Sequence, residues 1–522
     1  MLGFIDKLVN SITMYRLILY YVFGLIVVAL IESSLGVLAF KPFDLAASVF
    51  VITVVCVAVN YVFAKVYEVP ANIESVYITA FILALIITPP IAFERGGFLF
   101  LMWASVLAMA SKYILAIDKK HIFNPAAIAV AITSFALQQP ATWWIGTLPM
   151  LAFVVVGGIL ITRKIHRFDL VLSFFAAACV STIALTFSRT SPLISVERLL
   201  SNTGMVFFAC VMLTEPLTTP STRSFRLGYG VLTGILFAPF LHIGYIFSTP
   251  ELALCVGNIY SYIVSPKGKR VLTLIERKEI ANGTWNFWFK PDRAFSFKPG
   301  QYVEWTFGYE NPDNRGNRRY FTLASSPTEE TVQLGIKCYT TCSSYKKALL
   351  QLQPGEKIII SQLSGDFTLD KAAGNATQKL AFIAGGIGIT PFRSMIKYMT
   401  DTKDKRDTVL FYSNKTEEEI AYRDVFDDAE KTIGAKIVYN LSAAENIVDT
   451  AGRVLNGSTK EKEWKGERGS LTSEMISRNC PDYRERMFYI SGPHGMVVAF
   501  TDTLKKMGVP SRHIVVDFFP GF

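Results

Sequence analysis

The stretch Lys379-Leu380-Ala381-Phe382-Ile383-Ala384-Gly385-Gly386-Ile387-Gly388-Ile389-Thr390-Pro391 decides the fold. Its apolar start reads as a buried strand. Gly385, Gly386 and Gly388 let the backbone turn and approach a ligand closely. Thr390 and Pro391 read as the N-cap and first residue of a helix. Strand, glycine loop and capped helix, in that order, suit a pyrophosphate held at a helix N-terminus. Further on, the strand Met487–Ile490 runs into Ser491-Gly492-Pro493-His494-Gly495-Met496. From Leu380 the repeat of strand, glycine loop and helix predicts an α/β domain with a parallel sheet.

Upstream, from Lys269 to about Asp370, short strand patterns alternate with turns, as in Val271–Ile275, Thr284–Lys290 and Tyr302–Phe307. They predict a small antiparallel barrel. Within it the run RGNRRYFTLASSP (315–327) carries Arg319, Tyr320, Phe321, Thr322 and Ser325. On one extended strand it offers a guanidinium for a pyrophosphate, a flat ring for a face of an isoalloxazine, and a hydroxyl for its N5. Gly335-Ile336-Lys337 leads on to Ser343-Ser344-Tyr345, serines at a helix start where phosphate binds well. Gly365-Asp366-Phe367 closes the barrel region. The chain ends in Asp517-Phe518-Phe519-Pro520-Gly521-Phe522.

Taken together, Arg319–Thr322, the GGxGxTP run at 385–391, the GPxxM run at 492–496 and a terminal acid with aromatics resemble the ferredoxin–NADP reductase superfamily over Lys269–Phe522. The resemblance implies that Arg319, Phe321, Thr322 and Ser344 hold FAD, with Tyr320, Ser325, Lys337 and Ser343 beside them. It implies that Gly385, Gly386, Gly388, Thr390, Pro391, Gly492, Pro493 and Met496 hold NADH or NADPH. Phe519 or Phe522 would lie against the flavin. Thr322, Ser491, Asp517 and Phe522 are the catalytic candidates. The superfamily often has cysteine before G-P, where this chain has Ser491.

The first half is different. Of 522 residues, 51% are hydrophobic and 18% charged, too apolar for one soluble globule. The apolar residues concentrate before Val264. About 20 apolar residues cross a bilayer. The expected spans are Leu17–Phe40, Asp44–Tyr67, Ser75–Ile91, Gly97–Ile117, Phe123–Leu137, Trp143–Ile161, Leu170–Phe187, Leu199–Leu213, Leu227–Ile246 and Leu252–Val264. With the N-terminus inside, Lys119–Lys120, Arg163, Lys164, Arg167, Arg223, Arg226, Lys267, Lys269 and Arg270 fall on inner loops, matching the positive-inside rule. That orientation predicts a multi-pass protein of the inner or plasma membrane, with both termini and the second half cytoplasmic. The net charge of +10 is then loop lysine and arginine, with no nucleic-acid arm.

Ionisable residues inside spans are functional candidates, and Glu32 and Lys112 are the clearest. Two loop motifs, Phe123-Asn124-Pro125-Ala126-Ala127 and Thr214-Glu215-Pro216-Leu217-Thr218-Thr219-Pro220-Ser221-Thr222, combine prolines, hydroxyls and an acid at span ends. Asn124, Pro125, Glu215, Thr218, Thr219 and Thr222 join Lys112 as membrane-domain candidates, with plain turn chemistry as the alternative reading. With Ser75–Pro90 and Trp143–Gly146, these motifs resemble the membrane protein shared by the Rnf electron-transport complex (its D subunit) and the sodium-pumping NADH:quinone reductase (its B subunit). The family carries electrons through flavin, usually FMN on the threonine of an S-G-A-T motif. Here that stretch is Gln138-Gln139-Pro140-Ala141-Thr142, so any FMN is expected to be non-covalent.

Seven scattered cysteines form no CxxC and no zinc spacing, so neither a disulfide framework nor a metal site is expected. A haem-b reductase needs facing histidine pairs, and of five histidines only His242 lies inside an expected span. The sequence therefore predicts three parts: a polytopic α-helical membrane domain (1–266) of about ten spans, an antiparallel β-barrel FAD domain (267–374), and an α/β NAD(P)-binding domain (375–522). The expected activity is a membrane-bound oxidoreductase. It would pass electrons from NAD(P)H through FAD to a membrane flavin, a quinone or a trans-membrane acceptor. Alternatives are a redox-coupled cation transporter and a haem-free ferric or flavin reductase with a membrane anchor.

Overall fold

The computed structural model describes all residues except 1–11, 68–72, 92–93, 118–119, 266–267, 310–312, 314–316, 339–341, 370–376, 443–463, 465 and 518–522. The described residues fall into two compact units, one within Met1–Lys269 and one within Arg270–Phe519.

The first unit is helical: α1 (Met14–Ser34), α2 (Pro42–Val66), α3 (Ile73–Ile86), α4 (Arg95–Ile114), α5 (Pro125–Ala136), α6 (Leu148–Ile165), α7 (Phe168–Thr186), α8 (Pro192–Asn202), α9 (Met205–Met212), α10 (Arg223–Phe237) and α11 (Pro250–Val264). Each expected span yields a helix, but about ten spans are not found. Among the described residues five helices are long and apolar enough to cross a membrane: α1, α2, α4, α6 and α7. A sixth would be the pair α8 and α9, bent by 69° around Gly204. Gly204 has a left-handed φ of +65° that a side chain would resist. The others are too short. The 14 residues of α3 rise about 21 Å at about 1.5 Å each, against a hydrocarbon core of about 30 Å.

Short helices leave terminal carbonyls needing donors where no water reaches. At the end of α3 the loop before α6 supplies them. The Thr142 and Trp143 N–H groups donate to Ile86 O at 2.9 Å. The Trp144 indole donates to the carbonyls of Ala84 and Ile87 at 3.0 Å. Apolar composition alone merges such loops with their helices, so it counts more spans than the fold contains.

The second unit begins with β1 (Arg270–Ala281), β2 (Thr284–Pro291), β3 (Tyr302–Thr306), β4 (Arg318–Thr322), β5 (Val332–Lys337), α12 (Ser344–Gln351) and β6 (Lys357–Ser364). The six strands form one antiparallel sheet in the order β4-β3-β6-β1-β2-β5. The expected closed barrel is a half-barrel: β4 and β5 are the sheet's edges and do not pair with each other. Phe287, Phe289, Trp305, Leu334 and Tyr345 fill its inner face.

The rest alternates β7 (Leu380–Gly385), α13 (Thr390–Asp401), β8 (Thr408–Asn414), α14 (Arg423–Ile433), β9 (Lys436–Leu441), β10 (Glu467–Arg468), α15 (Ser473–Asn479), β11 (Met487–Ser491), α16 (His494–Lys506) and β12 (Ile514–Val516). The strands are all parallel in the order β10-β9-β8-β7-β11-β12. Both faces of the central strands are covered, as their continuous apolar runs require. The order reverses between β7 and β11, and ligands of such sheets bind at the carboxyl ends on either side of that switch. One detail corrects the sequence reading. The N-cap of α13 is Ile389, at the end of a 3-10 turn over Gly386–Ile389, and Thr390 is the first helical residue.

Candidate active site

The switch point brings together residues far apart in sequence. Gly388 follows β7 and lies against the end of β11. A Cβ there would sit 2.5 Å from the Ser491 carbonyl and 2.6 Å from the Gly492 nitrogen. A Cβ on Gly385 would strike the Met496 sulfur at 2.2 Å and reach Pro493 at 3.3 Å. The two glycine loops therefore pack directly; at Gly388 the facing atoms are backbone and only glycine fits, whereas at Gly385 the Met496 side chain would have to move. Pro493 caps α16, and Met496 sits in its first turn. Ser491 Oγ donates to Asp517 Oδ2 at 2.9 Å, and Ser491 is buried. Two catalytic candidates 26 residues apart thus form one hydrogen-bonded pair.

On the half-barrel side, Gly335 of β5 faces Tyr422 and Thr390. A Cβ on it would meet the Tyr422 hydroxyl at 2.4 Å and Thr390 Cγ2 at 2.8 Å. Tyr422 in turn donates to Asn286 Oδ1 at 2.9 Å. Arg319, 6% exposed, donates to Asp313 Oδ1 at 2.7 Å and lies 5.0 Å over the Tyr345 ring. Ser344 Oγ accepts from the Asp313 N–H at 3.1 Å, and Ser343 caps α12. Arg319 and the α12 N-terminus therefore meet through one aspartate, a donor set that suits a diphosphate.

Other candidates serve the fold. Ser325 is fully buried, and its Oγ accepts from the Gln333 N–H at 3.1 Å. Tyr320 donates to Glu304 at 3.1 Å, and Lys337 pairs with Glu419 at 2.7 Å. Thr322, buried, pairs in register with Tyr302 across β3 and β4. Phe519 and Phe522 lie outside the described residues. Cys338 and Cys342, expected as separate thiols, lie against each other, with Cα atoms 5.5 Å apart, immediately before Ser343.

Within the helical unit the two loop motifs converge on one carboxylate. Glu215 Oε2 accepts from Asn124 Nδ2 at 2.9 Å and from Thr218 Oγ1 at 3.2 Å. Glu215 Oε1 contacts His121 Nε2 at 3.2 Å. Asn124 caps α5, and its N–H donates to Asn258 Oδ1 at 2.8 Å. Asn258 Nδ2 donates to the Tyr229 hydroxyl at 3.0 Å. Lys112 donates elsewhere, to Ser75 O and Oγ at 3.0 and 3.1 Å. Thr219 bonds backbone carbonyls, Pro125 opens α5, and Thr222 opens α10 as its N-cap. Glu32 Oε2 is buried without a hydrogen-bond partner among the described residues. His242 sits in a two-residue strand beyond α10, not in a span. Sequence reasoning missed His121, Asn258 and Tyr229. Asn258 carried a readable signal, an amide in the middle of an otherwise apolar helix.

Residues 382–502 match the family of oxidoreductase NAD-binding domains. Flavohemoprotein A of Dictyostelium discoideum is 22% identical over 47% of this chain and 59% of that protein. The glycine betaine monooxygenase reductase subunit of Chromohalobacter salexigens is 28% identical over 45% of this chain and 61% of that protein. The F subunit of the Na(+)-translocating NADH-quinone reductase of Idiomarina loihiensis is 25% identical over 44% of this chain and 56% of that protein. The C-terminal half is thus similar to NAD(P)H-dependent flavin oxidoreductases. The chain spans between 56% and 61% of the length of these relatives. The solved Amycolatopsis cytochrome P450 reductase GcoB superposes with a TM-score of 0.41 at 19% identity, over 49% of this chain and 70% of that one. In this reductase half the matched segment contains β8, both glycine loops and Ser491; Asp517 and the half-barrel lie outside it.

Proposed function

We propose that the protein is a membrane-bound oxidoreductase that takes electrons from NAD(P)H through FAD and passes them into its helical half, to a bound flavin, a quinone or a trans-membrane acceptor. The observation that carries this reading is the Ser491–Asp517 pair beside the two interlocked glycine loops. FAD, when bound, supplies a hydride acceptor that can release electrons one at a time. Arg319, Ser343 and Ser344 would hold its diphosphate, with Tyr320, Phe321 and Thr322 along the same strand. Gly385, Gly386, Gly388, Thr390, Pro391, Gly492, Pro493 and Met496 would hold the nicotinamide nucleotide. Ser491 and Asp517 would orient the reacting end, and Phe519 or Phe522 would cover the flavin. The domain division is 1–266, 267–374 and 375–522, with the reductase half on the cytoplasmic side.

The outlet in the membrane half rests on the resemblance of its loop motifs and on their convergence at Glu215. The hydroxyl of Thr142, nearest the missing attachment motif, accepts from the Thr88 N–H at 2.9 Å and bonds the Thr88 hydroxyl at 2.7 Å. Such an engaged hydroxyl favours non-covalent flavin over a phosphoester. A second reading, redox-coupled cation movement, is favoured by the same half-buried carboxylate.

The test is a flavin analysis of the purified full-length protein, followed by turnover in proteoliposomes. FAD should be found in one equivalent and released by acid. NAD(P)H should bleach its absorbance, and a lipid-soluble quinone should reoxidise it. Absence of FAD, or of nucleotide-driven bleaching, would overturn the proposal. Turnover that rises with sodium would select the second reading.

A further inference from the structure

Five polar side chains close a ring where the half-barrel meets the parallel-sheet part of the second unit. Arg393, in the first turn of α13, donates to both oxygens of Glu329, with Nη2 to Oε1 at 2.8 Å. Glu329 Oε1 also accepts from Gln333 Nε2 at 3.0 Å. Gln333 Oε1 accepts from Asn286 Nδ2 at 3.0 Å, and Asn286 Oδ1 accepts from the Tyr422 hydroxyl at 2.9 Å. The Tyr422 ring returns the circuit to Arg393, whose guanidinium lies 5.8 Å from its centroid. Asn286, Gln333, Arg393 and Tyr422 are all buried. The half-barrel supplies Asn286 on β2, Gln333 on β5 and Glu329 just before β5; Arg393 and Tyr422, the N-cap of α14, belong to the other part. Donation runs one way, from the phenol through two amides to the carboxylate. Burial pushes the Tyr422 phenol above its ordinary range, so it stays protonated and keeps that direction.

The ring is tied on both sides to the segments that carry the candidate site. Arg393 Nη1 donates to Ala324 O at 3.2 Å, and Ser394 Oγ donates to Ser325 O at 2.6 Å. Ala324 and Ser325 follow directly on the strand of Phe321 and Thr322. On the other side, Thr390 ends the first glycine loop and lies three residues before Arg393, and Thr390 and Tyr422 both crowd Gly335. A buried ion pair with an amide relay is a weak source of stability, since apolar residues of similar volume often replace it without loss. Directional bonds in a buried network instead hold one relative orientation.

We propose that the ring of Arg393, Glu329, Gln333, Asn286 and Tyr422 is a positioning network that fixes the spacing between the flavin strand and the nucleotide loop, and so sets the rate of hydride transfer without adding to nucleotide affinity. This rests on the reading that the C-terminal half oxidises NAD(P)H with FAD. The step concerned moves one hydride, a proton with two electrons, from the reduced nicotinamide to the flavin, and NAD(P)H leaves as NAD(P)+. The groups proposed for the nucleotide lie on the parallel-sheet side, and those proposed for the flavin diphosphate lie on the half-barrel. A tilt between the two would leave each set of contacts intact and lengthen the gap between them. A misplacement of about 1 Å costs about a hundredfold in rate.

The test uses the full-length protein in detergent and follows flavin bleaching by stopped-flow absorbance as NADH or NADPH is varied. Arg393→Met should slow bleaching about ten- to a hundredfold, with the half-saturating nucleotide concentration within about twofold of native. Arg393→Lys, which keeps the charge toward Glu329, should recover part of the rate. Tyr422→Phe removes one hydroxyl and keeps the ring, so it tests the network should Arg393→Met fail to fold. It too should slow bleaching, and adding Gln333→Met should cost little more, because one break already opens the ring. Hydrogen exchange read by mass spectrometry needs no turnover: without nucleotide, amides of β5 and of the first turn of α13 should exchange faster in Tyr422→Phe than in the native protein. Native bleaching rates and native exchange in Tyr422→Phe, or a rate loss matched by an equal rise in the half-saturating concentration, would overturn the inference while leaving NAD(P)H oxidation in place. A native protein bleached by neither nucleotide would instead remove the functional reading, and this inference with it.

Discussion

Single residues would carry the proposed chemistry of the C-terminal half. Ser491 would be expected to set the angle of hydride delivery through its bond to Asp517. Ser491→Ala should slow flavin reduction about ten- to a hundredfold in stopped-flow absorbance, with KM little changed. Ser491→Cys should keep most of the rate, since the resembling superfamily often has cysteine there. A wild-type rate in Ser491→Ala would remove the serine from the mechanism. Arg486 and Asp482 hold the far side of the same sheet. Burial raises the Asp482 carboxyl, but bonds from Arg486 and Lys379 outweigh it and hold the carboxyl well below the usual range. A carboxyl lowered by folding stabilises the native state above its unfolded value of about 3.9. That contribution is lost as pH falls through the lower native value. The urea midpoint of the reductase half should therefore drop between about pH 5 and 2. Asp482→Asn should remove part of that drop, about 1–2 kcal/mol after allowing for partial exposure.

At the scale of elements, what matters is how ends meet. The glycine loop after β7 touches the loop after β11 so closely that Gly388→Ala must displace backbone rather than a flexible side chain. That variant should fold, with unchanged circular dichroism, but raise KM for the nucleotide about tenfold or more; a normal KM would show that the two loops can part freely. In the helical half the start of α5, the loop before α10 and the middle of α11 share one polar cluster. Glu215→Leu would strand His121, Asn124 and Thr218 without their common acceptor. A loss of about 3–5 kcal/mol is expected, visible as a lower melting temperature in detergent, with Glu215→Gln losing less. Equal melting of Glu215→Leu and the native chain would mean that the cluster is not structural.

At the scale of the whole molecule, two units of different composition make one chain, and each reveals itself differently. In the reductase half, the strand before Gly385, the turn at Gly386–Ile389 and the start of α13 were legible because local chemistry dictates them. Turn glycines, a proline in the first helical turn and period-two alternation act over a few residues. In the helical half the apolar runs were legible and their lengths were not. Hydropathy counts residues, whereas a span requires that all of them stay helical. Trp143 and Trp144 look apolar but act through their backbone and indole N–H groups at the end of α3.

The amino-acid sequence by itself determined the division into an apolar and a more polar half, the order of the two glycine loops, and the glycines at which the backbone turns and packs closely. Those properties follow from local composition and from the sterics of single residues. Only the tertiary structure decided that the antiparallel sheet stays open, that among the described residues five helices, or six with the bent pair, rather than ten are long enough to span, and that Cys338 meets Cys342. It also decided that Asn124, His121 and Thr218 share Glu215, and that Ser491 finds Asp517. Each of these depends on which distant segments pack together, and hydrogen bonds between residues 26 or 91 positions apart leave no periodic trace in the chain.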